Sequence, residues 1–165
     1  MAEVSVADRL CNASASGKLA EVLFLLDTAG ADVNGFNTFK RTPLQVVKMG
    51  NAALVEALLV AGADPNVPDP VLNLTLTHDA AREGFIHTVR VLVNHGADLN
   101  LVDGHGNLPL HLAAREGHLK VVQLLIECTT DPQALNDQGY SAGELARHHG
   151  KTDVFNFVEE YLSSH

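Results

Sequence analysis

Apolar residues recur along this chain at helical spacing, in paired short blocks rather than long runs. Leu19, Val22, Leu23 and Leu26 fall three and four residues apart, which places them on one face of a helix. Val121, Val122, Leu124 and Leu125 do the same after Gly117-His118. Ahead of that glycine, Pro109-Leu-His-Leu-Ala-Ala-Arg-Glu116 reads as another helix. Pro109 suits its first position, where a missing N–H costs nothing, and Gly117 suits the left-handed residue that ends it. Such a helix–turn–helix has an apolar face on each side and needs copies of itself to bury both.

Copies are present. The glycine recurs as Gly17, Gly50, Gly84, Gly117 and Gly150, at intervals of 33, 34, 33 and 33 residues. Five residues after each mark stand Val22, Val55, Val89, Val122 and Phe155; four before stand Ala13, Val46, Ala80, Ala113 and Ala146. Gly-Ala-Asp closes the unit at 30–32, 62–64 and 96–98, followed by Asn34, Asn66 and Asn100. This period and pattern resemble the ankyrin repeat. The implied fold is all-α: one ankyrin-repeat solenoid over residues 1–165, with five helix-turn-helix repeats and short β-hairpin-like fingers. The repeats run at about 5–36, 37–69, 70–103, 104–135 and 136–163.

Two repeats depart from the pattern. From Thr42 to Gly50 is eight residues, against nine from Thr75 to Gly84, so the second repeat lacks a residue in its first helix. That helix also carries β-branched Val46-Val47 and is expected to be short or irregular. In the third repeat, Asn66 to His78 is twelve residues, against eleven from Asn100 to His111. Its finger therefore holds an insertion, and it lacks the glycine found as Gly106 and Gly139. Asp79 stands where the fourth repeat has Leu112 and is expected to face the concave groove, where repeat proteins bind partners. Phe85 stands where the fourth repeat has His118. At the ends, Asp8, Arg9, Asn12, Ser14 and Ser16 are expected to keep the outer helix of the first repeat polar, as a cap requires. In the last repeat, Gly143, where the fourth has Leu110, is expected to loosen the first helix, and the polar tail Glu159–His165 closes the stack.

Composition narrows the functions. With 11 basic and 20 acidic residues the formal net charge is −9, which disfavours nucleic acid and suits a partner with a basic surface. The two cysteines, Cys11 and Cys128, lie beside apolar helical positions and read as buried free thiols in a reducing compartment. No apolar run approaches the ~20 residues of a membrane span. Met1–Asp8 has no signal-peptide pattern, so the sequons at Asn12 and Asn73 read as accidental. The nine histidines show no metal-ligand spacing; His78 and His111 occupy the repeat's own turn-fixing position. No phosphate loop or enclosed cleft suggests catalysis, and no metal or cofactor is expected.

Within ankyrin proteins, the chain resembles the INK family of cyclin-dependent kinase inhibitors. The resemblance rests on Arg41-Thr-Pro-Leu-Gln-Val-Val-Lys-Met-Gly50 with its shortened helix, and on His78-Asp-Ala-Ala-Arg-Glu-Gly-Phe85. The stretch Gly106–His118 looks like the five-repeat members; the finger Asp69-Pro-Val-Leu looks more like the four-repeat members. The resemblance implies binding to monomeric cyclin-dependent kinases four and six beside the ATP cleft, opposition to cyclin D, and arrest in G1. It implies a monomer in cytoplasm and nucleus, with no nucleic acid or membrane partner. It also implies that Asp79 pairs with a basic residue of the kinase. Asp69, Val47, Lys48, Arg82, Glu83, Phe85, Phe39, Arg41 and His78 would supply contacts or shape. Ala20, Lys40, Lys48 and His87 depart from the family's usual acidic residue, glycine, methionine and aspartate, and bear on strength and selectivity. The rival reading is a general ankyrin adaptor for another protein, since one fold hosts many functions.

Overall fold

The computed structural model describes residues 4–165. The sequence reading of Met1–Glu3 falls outside the described residues. Ten helices follow in order: α1 (Val6–Ala15), α2 (Leu19–Asp27), α3 (Pro43–Val46), α4 (Ala52–Val60), α5 (Leu76–Glu83), α6 (Ile86–Asn94), α7 (Pro109–Glu116), α8 (Leu119–Cys128), α9 (Ala142–His148) and α10 (Thr152–Ser164). Odd-numbered helices form an inner row and even-numbered helices an outer row, each pair making one repeat. The core lies between the rows. Val22, Val55, Val89 and Val122 are fully buried there, in a column one repeat apart, and Phe155, the fifth member, is partly buried.

The marking glycines allow the rows to approach closely. Gly17, Gly84, Gly117 and Gly150 have φ between +72° and +80°, the left-handed conformation that reverses the chain between helices. A Cβ on Gly84 would lie 2.5 Å from Nδ1 of His118, and one on Gly117 would lie 2.7 Å from Cδ of Lys151. Gly17, Gly84 and Gly117 are thus each covered by a side chain from the next repeat, while Gly150, in the last repeat, has nothing within 4 Å of its Cβ position. Gly50 is the exception: it is absent from the left-handed glycines, because α3 has already ended at Val46. It lies instead under the Phe85 ring.

The fingers are hairpin-like turns with no strand among the described residues. Each is closed by a backbone bond across its base, Asn37 N–H to Arg41 C=O, Asp69 to Leu74, Asp103 to Asn107, and Asn136 to Tyr140, and by a second back to the first residue's carbonyl from Lys40, Asn73, Gly106 and Gly139. A side-chain oxygen at the base caps each turn. Oδ1 of Asn37 accepts from Phe39 and Arg41, and Oδ1 of Asp103 from His105 and Asn107. Asn136 and Asp69 do likewise. Successive repeats are stitched by the asparagines after Gly-Ala-Asp. Oδ1 of Asn34, Asn66 and Asn100 accepts from the N–H of Asp64, Asp98 and Thr130.

Several expectations are corrected here. Ser14 is buried, its hydroxyl donating to the Leu10 carbonyl, so only the rest of the named cap residues remain at least partly exposed. Cys128 is exposed, whereas Cys11 is buried and its thiol is pushed up to about 11, chiefly by burial and then by the Asp8 charge. Gly143 does more than loosen α9. It is buried with Val158 so close that a Cβ would sit 3.2 Å from Cγ1, which lets α10 dock. The polar tail is helical, the last part of the 13-residue α10.

Candidate functional site

The second repeat has the short first helix that the spacing implies: α3 has four residues against eight in α7. Thr42 and Gln45 start it with a reciprocal cap, Thr42 N–H to Oε1 and Gln45 N–H to Oγ1. Val47 ends it in an extended conformation, φ −54° and ψ 146°. The inner row is continuous from α5 through α7 to α9, and between α1 and α3, but α3 and α5 scarcely meet. Neighbouring repeats satisfy the backbone that the lost turn frees. Lys48 N–H donates to the Ser14 carbonyl, and the Thr88 hydroxyl donates to the Met49 carbonyl at 2.5 Å. Thr88 is a supporting residue that sequence reading missed. The signal was a hydroxyl at the position where other repeats place Leu54, Val121 and Val154.

Beside this break, α5 carries the charge. Asp79 is 28% exposed and Arg82 36%, and Arg82 Nη2 lies 2.9 Å from Asp79 Oδ1 one turn away. Arg82 Nε also lies 3.5 Å from Glu83 Oε1, so one guanidinium serves two carboxylates. Desolvation pushes the Asp79 carboxyl above the usual range. The Arg82 charge opposes that, and the charges of Asp69 and Glu83 reinforce it. In the free chain Arg82 of the same helix meets Asp79, and shares its charge with Glu83. The helix end below is fixed by His118, whose ring lies on the Arg82 carbonyl, Nε2 to O 2.8 Å.

Asp69 is already engaged. Its Oδ1 accepts from Val71 and Leu72 and its Oδ2 from Leu74, which shapes the inserted finger. Burial would raise this carboxyl, but the three N–H groups and the Arg41 charge outweigh it and hold it below its ordinary value. Asn73, at φ 57°, takes the left-handed place that glycine holds elsewhere. Lys40, at φ 60°, does so in the second finger without asparagine's local hydrogen-bonding compensation. Arg41 donates to the Phe39 carbonyl at 3.1 Å.

The remaining expected residues divide sharply. Phe39 at the fingertip is 79% exposed, and Lys48 and Glu83 are exposed. Phe85 is partly exposed, covering Gly50 with one edge of its ring. Val47 and His78 are buried and present little or no side-chain surface. His78 Nδ1 accepts from Thr75 N–H and Nε2 donates to the Asn107 carbonyl at 2.9 Å. His111 repeats this with Leu108 N–H and the Ala134 carbonyl. Among the described residues no group of three or more His, Cys, Asp or Glu could hold a metal, and no helix is long and apolar enough to cross a membrane.

A family model described as ankyrin repeats (3 copies) matches residues 45–138, and the chain belongs to that family. The chain is 48% identical over 103 residues to cyclin-dependent kinase 4 inhibitor B of Rattus norvegicus, covering 62% of this chain and 78% of that protein. It is 47% identical over 106 residues to cyclin-dependent kinase inhibitor 2A of Homo sapiens, covering 64% and 67%. Cyclin-dependent kinase 4 inhibitor B of Homo sapiens is 48% identical over 103 residues, covering 62% and 74%. This is an INK-family chain. Within this INK chain, the short α3 and the α5 charge cluster lie on adjacent repeats, on either side of the gap in the inner row.

Proposed function

We propose that this chain inhibits cyclin-dependent kinases four and six. It binds the monomeric kinase beside the ATP cleft, opposes cyclin D binding and arrests the cell cycle in G1. The observation that carries this reading is Asp79. It is a half-buried carboxylate on the inner face, beside the break between α3 and α5, and it shares its one cation with Glu83. Such a group is held at an energetic cost in the free chain, and a guanidinium brought by the partner relieves it. The similarity to named kinase inhibitors supports the choice of partner. On this reading the exposed Phe39, Lys48, Glu83 and Phe85 supply further contacts, while Asp69, Arg41, Val47 and His78 set the shape of the fingers and helices that carry them.

On this reading the chain is a regulator and not an enzyme, and it acts as a monomer without cofactor in cytoplasm and nucleus. Its acidic balance also favours a basic protein surface over nucleic acid. The test is a titration of monomeric kinase four and kinase six with the purified chain, followed by addition of cyclin D. A binary complex that resists cyclin is expected. Absence of a binary complex with both kinases contradicts the proposal.

A further inference from the structure

The outer face of the first two repeats differs from that of the next two. At the outward positions of α6 and α8 stand His87, Arg90 and Asn94, then Lys120, Gln123 and Glu127. The matching residues are Ala20, Leu23 and Asp27 on α2, and Ala53, Glu56 and Val60 on α4. At four of these six positions solvent thus faces apolar side chains where the later repeats keep polar ones. Leu23 is 41% exposed and Val60 71%. Between α2 and α4 lies a groove of about 520 Å³. Leu19, Leu23 and Leu26 form one wall, and Ala53, Ala57 and Val60 the other. The alanines keep the floor low, because they have no bulk beyond Cβ.

Charge decides what fits. Asp27 and Glu56 line the groove and Glu21 lies on the same helix as the leucines; neither α2 nor α4 contains a basic residue. A second copy of this chain docking through the same groove would bring carboxylates against carboxylates, within a net charge of −9. An anionic lipid surface is repelled for the same reason. Each nine-residue helix spans about 13.5 Å, room for two to three turns of a partner helix. We propose that the groove between α2 and α4 docks an amphipathic helix of another protein, with apolar residues at i, i+3, i+4 and i+7 flanked by Lys or Arg. It lies on the row opposite the inner face, so both faces can be occupied at once.

The test uses the full chain and two synthetic 14-residue amphipathic helices with the same leucine face, one flanked by lysines and one by glutamates. Amide chemical shifts are followed by NMR. The lysine peptide is expected to perturb residues 19–27 and 52–61, with binding that weakens as salt is added. Leu23→Ser with Val60→Ser should weaken it about 10-fold or more. Both side chains are exposed, so the helical signal of the double variant should stay at wild type. Asp27→Asn with Glu56→Gln should remove the salt dependence. Equal binding of the glutamate peptide, shifts that map elsewhere, or self-association abolished by Leu23→Ser would each overturn the proposal.

Discussion

The second and fourth repeats are built from one pattern and solve it differently. In the fourth, α7 runs eight residues, its inner face is buried, and His111 and Gly117 close its two ends within the repeat or with the next. In the second, α3 runs four residues, and its surroundings rely on Ser14 from the repeat before and Thr88 from the repeat after. The regular repeat keeps a full inner helix and is tied to the repeat before it through His78 to the Asn107 carbonyl and His118 to the Arg82 carbonyl. The irregular one leaves the inner row open beside Asp79, where the proposed kinase contact sits.

The comparison predicts its largest contrast in hydrogen exchange. Repeat arrays open locally where local terms are weak. Amides 44–47 should exchange faster than amides 110–116 by about 100-fold or more, equivalent to about 3 kcal/mol of local opening. Equal protection would remove the contrast.

A smaller effect should follow from Thr88→Val. The Met49 carbonyl then loses its hydroxyl donor, at a cost of about 1–3 kcal/mol if the site stays dry. Urea unfolding measures the total, and exchange at 44–51 shows whether the loss is confined to the second repeat. A loss spread evenly over five repeats would mean that Thr88 is not a local brace.

Acid should separate the repeats again. Burial holds His78 and His111 below their ordinary 6.5, against the pull of Asn107 and Ala134 carbonyls and Asp103. The folded chain therefore keeps both rings neutral while the unfolded chain takes up protons. Their contribution is complete above 6.5 and is lost as pH falls below it, at up to about 1.4 kcal/mol per pH unit for each ring. The second repeat has Gln45 at this position and lacks the titration. Acid sensitivity near pH 6 should therefore disappear in His78→Gln with His111→Gln, as read from urea midpoints against pH.

The smallest effect is at Lys40. Its left-handed backbone is strained for a lysine, and Gly106 and Gly139 occupy the equivalent places without strain. Lys40→Gly should raise stability by about 0.5–1 kcal/mol by urea unfolding. A loss of stability would mean that the lysine side chain holds the finger.

The sequence made the repeat architecture legible because the period is carried by residues with strict physical duties. Left-handed glycines, small alanines and a buried valine column recur near every 33 residues. The shortened α3 was legible in a local spacing: Thr42 to Gly50 is eight residues, against nine from Thr75 to Gly84. Features made by pairing between repeats were not legible. Nothing local to Gly50 says that it escapes the left-handed conformation, or that Phe85 will cover it. Val47 was named by the family resemblance for contact or shape, and only the structure shows its side chain buried where α3 ends early. Arg82 reads as an ordinary repeat residue, since Arg115 occupies its place in the fourth repeat; only the geometry shows it sharing itself between Asp79 and Glu83. The finger-base column Asn37, Asp69, Asp103 and Asn136 was present in the spacing and went unnoticed.

The central claim, that recognition sits on a carboxylate which the fold does not need, is tested most directly by Asp79→Asn. The ionised form is disfavoured in the folded chain by desolvation and by Asp69 and Glu83, so the neutral isostere should leave the thermal midpoint at or above wild type near pH 7. Affinity for monomeric kinase four or six should fall about 30-fold to several-thousand-fold, equivalent to about 2–5 kcal/mol. A Kd within about twofold of wild type, or a loss of binding that tracks a loss of helix, would contradict the account.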